Sequence, residues 1–326
     1  MNAARIVVGL LVSAVFAAAT LSRVDLGSMA HALSRAAPLG VAVGMALAIL
    51  EIGVRAWRWR FLLTPLGKVD YRHALAYTFV GSFANTLLPM RLGDVARAYL
   101  AASTLHLPRM ATLGSVVTER LADGVTILVL AACLGLVVTG ALGTGPASLW
   151  VGVGLAGLLV GGGLLLLVAR HPDRVRSLIP ARLCELLDRL VDGARAVRRP
   201  IGLSIVVAST VAAYLCSVMV VVAVTTSVGI HLSLLQAAFV TAWIALSTAI
   251  PAAPGSVGTY EFVGVSALTL LNQDPGSALA AVVLIHAVGT LPGALIGLVM
   301  TWALHVRVWR LGDRDELAPE SAAQAA

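Results

Sequence analysis

Lysine is all but missing from this chain, and charge of any kind is scarce. Lys68 is the single lysine among 23 basic residues, and Asp, Glu, Lys and Arg together make up 12% of the 326 residues. A water-soluble domain carries roughly 25% charged residues, so an ordinary solvated surface is excluded. The three cysteines, Cys133, Cys184 and Cys216, show no paired spacing, so neither a disulfide framework nor a metal site is expected. The chain has no G-x-x-x-x-G-K-S/T, no H-E-x-x-H and no G-x-S-x-G, which leaves P-loop, zinc-peptidase and α/β-hydrolase chemistry without a sequence basis. No cofactor is expected. No stretch between apolar runs is long enough for a soluble catalytic domain.

What fills the chain instead is apolar: 59% hydrophobic residues and a mean hydropathy of +0.93. Several runs reach the roughly 20 residues that a helix needs to cross a bilayer. Alternating ten-residue strands of the barrel type are absent from the pattern. The reading is an all-α polytopic membrane protein. The net charge of +7 is then a matter of orientation and anionic headgroups, with no nucleic acid implied. Arg5 before an apolar run and Ala17-Ala18-Ala19 resemble a signal peptide, but a retained first helix fits better because it has a counterpart in the second half.

Spanning helices are expected at about 5–22, 38–60, 112–140, 148–169, 201–229 and 276–306. Two further segments, 73–103 and 233–272, are too long for one span and are interrupted by proline and glycine. Their interruptions read alike. Asn85-Thr86-Leu87-Leu88-Pro89-Met90-Arg91-Leu92-Gly93-Asp94 and Ser247-Thr248-Ala249-Ile250-Pro251-Ala252-Ala253-Pro254-Gly255-Ser256 share a small polar residue, Thr, two apolar residues, Pro, three variable residues, Gly and a short polar residue. Paired broken segments in matching positions point to a transporter site. The expected architecture is two inverted repeats, with six spanning helices plus two re-entrant helical hairpins. The first repeat covers 1–140 with its hairpin at 73–103. The second covers 148–306 with its hairpin at 233–272, and the tail 313–326 is expected to be disordered. Eight ordinary spans with two proline kinks is the competing layout.

Charge asymmetry orients this layout. With a cytoplasmic N-terminus, the inner segments carry Arg5, Arg55, Arg58, Arg60, Lys68, Arg72, Arg109, eight arginines within 170–199, Arg307, Arg310 and Arg314, whereas the outer loops carry only Arg23 and Arg35. That is the positive-inside pattern, and it puts both termini in the cytoplasm. The basic segment 170–199 is either a repeat-joining linker or a helix lying on the inner surface. Trp57, Trp59, Tyr71, Trp302 and Trp309 are placed as an interfacial aromatic belt. Gly289, Gly293 and Gly297 form a small-residue stripe suited to close helix packing.

Charges at membrane depth need partners or a task. In the first hairpin, Arg91, Asp94 and Arg97 share a helix face; Arg91 and Asp94 can pair, leaving Arg97 as surplus positive charge. A cationic, partly desolvated pocket suits phosphate, because guanidinium offers a planar fork of donors. Glu51 and Arg55 form an i, i+4 pair. Glu119 and Asp123 share a face on the third helix, with Arg120 directed elsewhere, and these acids can pair with Arg91 or Arg97 or carry protons. In the second hairpin, Pro251, Pro254, Gly255, Gly258, Tyr260 and Glu261 offer freed backbone groups and one acid, placed to face Arg91. His286 stands alone in the last apolar run, as a hydrogen-bonded core residue or a proton site.

Three ordered motifs, N-x-x-x-P-x-R-x-G-D/E-x-x-R from Asn85 to Arg97, E-R-x-x-D from Glu119 to Asp123, and P-x-x-P-G-x-x-G-x-x-E from Pro251 to Glu261, resemble the flippase-like integral membrane family. That family includes the N-terminal membrane domain of lysylphosphatidylglycerol synthase, and the resemblance spans essentially the whole chain. It implies an inner-membrane location and the moving or handling of anionic or aminoacylated lipids. The chain has no counterpart of the aminoacyl-transferase domain and so is not expected to make lysylphosphatidylglycerol. His286 stands where the resemblance leads one to expect arginine, and Asp94 replaces the commoner glutamate. The expected function is movement of an anionic, aminoacylated or polyprenyl-phosphate lipid through a cationic cavity between the hairpins. The expected substrate-binding set is Asn85, Arg91, Asp94, Arg97, Glu119, Arg120, Asp123, Pro251, Pro254, Gly255, Gly258, Tyr260 and Glu261. Two alternatives stand beside it: a membrane-embedded enzyme, or partner of a lipid-modifying enzyme, using Glu119 or Asp123 as acid or base; and a non-transporting scaffold held by 170–199.

Overall fold

The computed structural model describes residues 3–22, 24–88, 92–139, 188, 192–247 and 253–304. Among the described residues there are ten α-helices and no strand. They are α1 (Ala3–Leu21), α2 (Leu26–Ser34), α3 (Pro38–Leu63), α4 (Tyr71–Leu87), α5 (Leu92–Thr104), α6 (Arg109–Thr139), α7 (Pro200–Ser227), α8 (Leu234–Ser247), α9 (Thr259–Leu270) and α10 (Pro275–Ala303). The expected helix at 148–169, residues 170–187 and 189–191 of the basic segment and the tail 313–326 lie outside the described residues.

Local chemistry explains where the helices begin. Pro38, Pro200 and Pro275 occupy the first turns of α3, α7 and α10, where a missing N–H costs nothing. The Asp274 carboxylate accepts the Ser277 N–H at 2.9 Å and so caps α10. Asp25 caps α2 in the same way, accepting from Gly27 and Ser28. Helix α2 lies within 23–37, where the sequence pattern places an outer loop carrying Arg23 and Arg35. The cap at Asp25 is its one sequence signal.

Helices α3, α7 and α10 are 26, 28 and 29 residues long and apolar enough to cross a membrane. The two interrupted segments behave differently. Each is a pair of packed helices, α4 with α5 and α8 with α9. Their lengths of 17, 13, 14 and 12 residues correspond to about 18–26 Å each, short of a hydrocarbon core of about 30 Å. The order helix, broken pair, helix therefore occurs twice: α3, α4–α5, α6, and then α7, α8–α9, α10.

The packing is reciprocal. Helix α4 packs on α10 while α8 packs on α6; α5 packs on α6 while α9 packs on α10; α3 and α7 pack on each other. Small residues permit the closest approaches. A Cβ at Gly93 would collide with the Gly81 carbonyl and the Asn85 amide, so α5 rests directly on the backbone of α4. A Cβ at Gly297 would meet the Phe79 carbonyl of α4, and one at Gly293 would meet Ile52 and press on Ser82. Two members of the glycine stripe thus serve packing, as expected. Gly289 meets nothing and instead borders a cavity.

The interruption before α9 needs unusual backbone. Gly255 and Gly258 have φ of 70° and 89°, and Ser256 between them has φ of 59°. The Glu261 carboxylate accepts the Gly258 N–H at 2.6 Å and closes this turn onto α9. The Ala253 N–H donates to Ser13 Oγ of α1 at 2.9 Å. The same turn rests on α4.

Replacing Gly93 by alanine should force α5 off α4 and cost about 1–3 kcal/mol, a typical overpacking penalty. Gly124→Ala, which meets open space, should be neutral or slightly stabilising. Thermal unfolding of the detergent-solubilised variants checks both.

Candidate functional site

The helix register of α3 puts Glu51, Arg55 and Arg58 in one stripe, at i, i+4 and i+7. Helix α6 presents Glu119, Arg120 and Asp123, and α5 presents Asp94 and Arg97. These side chains meet. Arg58 Nη2 donates to Glu119 Oε1 at 2.8 Å, and its Nη1 donates to Asp123 Oδ1 at 2.8 Å and to Thr210 Oγ1 of α7 at 2.6 Å. Arg97 Nη2 donates to the other Glu119 oxygen at 2.6 Å. Arg55 bridges Glu51 at 2.8 Å and Asp123 at 2.9 Å. Arg120 Nη2 reaches Asp94 Oδ1 at 2.7 Å, and its Nη1 lies 3.5 Å from Asp123. Ser217 of α7 donates to Glu51 at 2.8 Å.

Burial makes this network consequential. Arg58 is fully buried, and Glu119 and Arg97 are 1% and 2% exposed. Each charge would cost about 2.5–3.5 kcal/mol if inserted alone at membrane depth. Here every carboxylate of the network meets at least one guanidinium. The Arg97 guanidinium also lies over the Trp59 ring at 4.7 Å, and Arg55 over Tyr214 at 5.7 Å. The Trp59 Nε1–H donates to Ser115.

The network borders a cavity of about 670 Å³. Its wall includes Asn85, Asp94, Arg97, Glu119, Arg120 and Asp123. From the second half come Gly255, Ser256, Tyr260 and His286. Asn85 Nδ2 lies 3.5 Å from Asp94, and the Oδ1 of Asn85 and the Nε atoms of Arg58, Arg97 and Arg120 are buried without a hydrogen-bond partner. Pro292 removes one backbone donor from α10 beside this cavity, near Gly289 and Gly293. The interrupted turn and the end of α4 meet at the cavity: a Cβ on Gly255 would lie 3.8 Å from the Thr86 carbonyl.

Several expectations need correction. Arg97 is not surplus charge: of the pairings left open for Glu119, the one with Arg97 is formed. Arg120 does not point away from the acids; it bonds Asp94 and approaches Asp123. Glu261 meets His286, with His286 Nδ1 2.6 Å from Glu261 Oε1; its expected approach to Arg91 falls outside the described residues. Trp59 is fully buried rather than interfacial, whereas Trp57 and Trp302 are exposed. Arg55 and Arg58, counted among inner-loop charges, belong to the network. The described network holds Arg55, Arg58, Arg97 and Arg120 against Glu51, Asp94, Glu119 and Asp123, so its charges balance. Arg91 and Pro251 lie outside the described residues. Pro254 and Gly258 shape the interrupted turn without lining the cavity.

Arg58, Thr210, Tyr214 and Ser217 were not among the expected site residues. The stripe Glu51–Arg55–Arg58 carried a signal at helical spacing, strengthened by three charges in an otherwise apolar span. Thr210 and Ser217 carried none, since hydroxyls are common in membrane helices.

Long apolar helices, two interrupted helix pairs and an ionic network around a shared cavity define a multi-pass helical membrane protein. The chain belongs to the family described as the lysylphosphatidylglycerol synthase TM region, which it matches over residues 6–297. It is also similar to glycosyltransferase AglD of Haloferax volcanii, at 27% identity over 330 residues, which cover 87% of this chain and 52% of that protein. The chain therefore spans about half the length of that curated relative.

Replacing Arg58 by methionine should leave Glu119 and Asp123 undercompensated and destabilise the fold by about 3–5 kcal/mol. Arg120→Met, at a side chain 34% exposed, should cost less. Thermal unfolding of the two variants, and their recovery as monodisperse protein, ranks them.

Proposed function

We propose that this protein moves a lipid with a phosphate-bearing headgroup across the bilayer, through the cavity between its two interrupted helix pairs. The observation that carries this reading is a cavity of about 670 Å³ walled by ionised side chains within an otherwise apolar bundle. A headgroup can shed its hydration there while its tails remain in the lipid. The short helix pairs support re-entrant hairpins, since each arm is shorter than a full crossing. The reciprocal packing of the halves supports two repeats rocking about the cavity. An odd number of crossings per half makes those repeats inverted. The arginine asymmetry supports an inner-membrane protein with cytoplasmic termini.

In this reading Arg91 and Arg97 engage the phosphate, with Asp94, Glu119, Arg120 and Asp123 setting their positions. Arg91 carries the most weight, because Arg97 is already held by Glu119. Asn85, with its buried unpartnered carbonyl, offers a neutral polar contact. Pro251, Pro254, Gly255, Gly258, Tyr260 and Glu261 form the facing wall and its support.

A second reading follows from the relative named a glycosyltransferase: the membrane segment serves an enzyme that acts on a lipid-linked sugar. It predicts a covalently altered lipid when the protein is assayed with an activated sugar, and no movement of unaltered lipid.

Liposomes reconstituted with purified protein test the first reading. The panel comprises fluorescent phosphatidylglycerol, its aminoacylated form, phosphatidylcholine and a polyprenyl phosphate. One phosphate-bearing lipid should exchange between leaflets faster than the others. Arg91→Ala should slow that exchange by about tenfold or more, as expected for loss of a charge-assisted hydrogen bond. Exchange that is unaffected in the variant would remove Arg91 from the site, and no exchange of any lipid by folded protein would remove the transport reading.

A further inference from the structure

The cavity carries a second ionisable assembly that shares no hydrogen bond with the arginine network. His286 Nδ1 lies 2.6 Å from Glu261 Oε1. The Tyr260 ring stacks on the imidazole with centroids 4.1 Å apart and planes 16° from parallel. The other Glu261 oxygen is occupied by the Gly258 N–H. Tyr260 and His286 line the cavity, and the His286 and Glu261 side chains are 12% and 15% exposed. This is a histidine–carboxylate pair, mostly shielded yet reachable from the cavity.

Such a pair has two charge states. With a neutral imidazole donating from Nδ1 to the carboxylate, its net charge is −1. With an imidazolium, the net charge is zero and the hydrogen bond becomes an ion pair. One proton therefore changes the charge of the wall by one elementary unit. The arginine network around the same cavity is balanced among its described residues, so this change is not swamped by a fixed excess of either sign.

We propose that the Glu261–His286 pair is a proton-binding site linked to occupancy of the cavity by an anionic headgroup. Proton binding removes a negative charge from the wall and so favours the anion. By reciprocity, a bound anion raises the proton affinity of the pair by the same factor. The pair also joins α9 to α10, at the interrupted turn that includes Gly255, Ser256 and Gly258. Proton binding strengthens that clamp. This inference deepens the transport reading and rests on it for one consequence: a pH gradient becomes a driving force for the lipid.

The other groups around the pair are few. Of the helices packed against α10, α9 brings Tyr260 and Glu261, α3 brings Glu51 and Arg55 to the same cavity, and α7 brings Tyr214 to it, with Cys216 outside its lining; α8, packed on α9, brings no titratable side chain, and α1 brings none among its described side chains. Helix α4 brings neutral Ser82, Asn85 and Thr86 to the cavity. Its Tyr71, Arg72 and His73 lie at the opposite end, about 20 Å away along the helix. His31 of α2 lies near the start of α10, about 15 Å along the axis from His286. Glu51 and Arg55 hold each other, and among the described residues lining the cavity His286 is the histidine.

Two measurements test this. In the first, wild-type protein in phosphatidylcholine nanodiscs, weakly buffered at about pH 6.5 near the ordinary histidine midpoint, is titrated with short-chain phosphatidylglycerol while a dye reports free protons. Net proton uptake is expected with phosphatidylglycerol and not with short-chain phosphatidylcholine or with empty discs. Uptake should fall severalfold in His286→Gln and Glu261→Gln. In the second, phosphatidylglycerol exchange in proteoliposomes is followed with and without an imposed pH gradient. A severalfold bias toward the alkaline side is expected in wild type. Uptake equal to that of empty discs overturns the proton site, using wild-type protein alone. Lipid exchange that ignores the gradient overturns the coupling and leaves the transport reading standing. If no lipid is exchanged, the transport reading falls, and anion-linked proton uptake lost in His286→Gln still upholds the site.

Discussion

A guanidinium that is fully buried in an apolar bundle must have carboxylates around it, and Arg58 satisfies that requirement by drawing three helices together. Its bonds to Glu119 and Asp123 tie α3 to α6, and its bond to Thr210 adds α7. Because Glu119 shares its second oxygen with Arg97, the same contact seats α5. In water such ion pairs contribute little, since solvation of the separated charges is a good alternative. In an apolar surround the separated state is expensive, and the network becomes a condition of assembly.

This constraint places the cavity. Helices that bring charge to the network cannot also close around it completely, because the ionic groups need width and the interrupted pairs are short. Glycine does the opposite at neighbouring positions. Gly93 and Gly297 let α5 and α10 press on the backbone of α4. Tight contact on one side and ionic groups on the other leave a cavity with charged and apolar walls between the halves. The turn at Gly255–Gly258 forms part of its far wall, held by Glu261 from α9 and by Ser13 from α1.

The charge state of the cavity therefore differs from a simple cationic pocket. Its described arginines and carboxylates cancel, so recognition of an anion depends on small imbalances. The proposed reading draws that imbalance from Arg91, in the first interruption, and from protonation of the pair on α9 and α10. In the transport reading proposed above, a balanced site has a physical merit: it would bind a headgroup without holding it so strongly that release becomes slow.

Much of this was legible in the amino-acid sequence. Long apolar runs fix helical spans, because unpaired backbone groups are intolerable in lipid, and proline and glycine mark where such runs break. The two interrupted segments at 73–103 and 233–272 emerged nearly at their observed limits for that reason. So did the importance of Glu119 and Asp123, since acids in apolar helices announce themselves. Partner choice was not legible. Nothing local says that Arg120 turns to Asp94, that Glu119 holds both Arg58 and Arg97, or that Glu261 meets His286. Trp59 and Arg58 read as interfacial because aromatic and basic residues cluster at span ends; packing of α3 against α6 and α7 carries both inward. By itself, then, the sequence determined the class of protein, its long helices, their interruptions and the burial of Glu119 and Asp123, because burial and backbone hydrogen bonding are local demands of lipid. Only the tertiary structure decided which charges neutralise which, because that depends on distances between helices far apart in the chain.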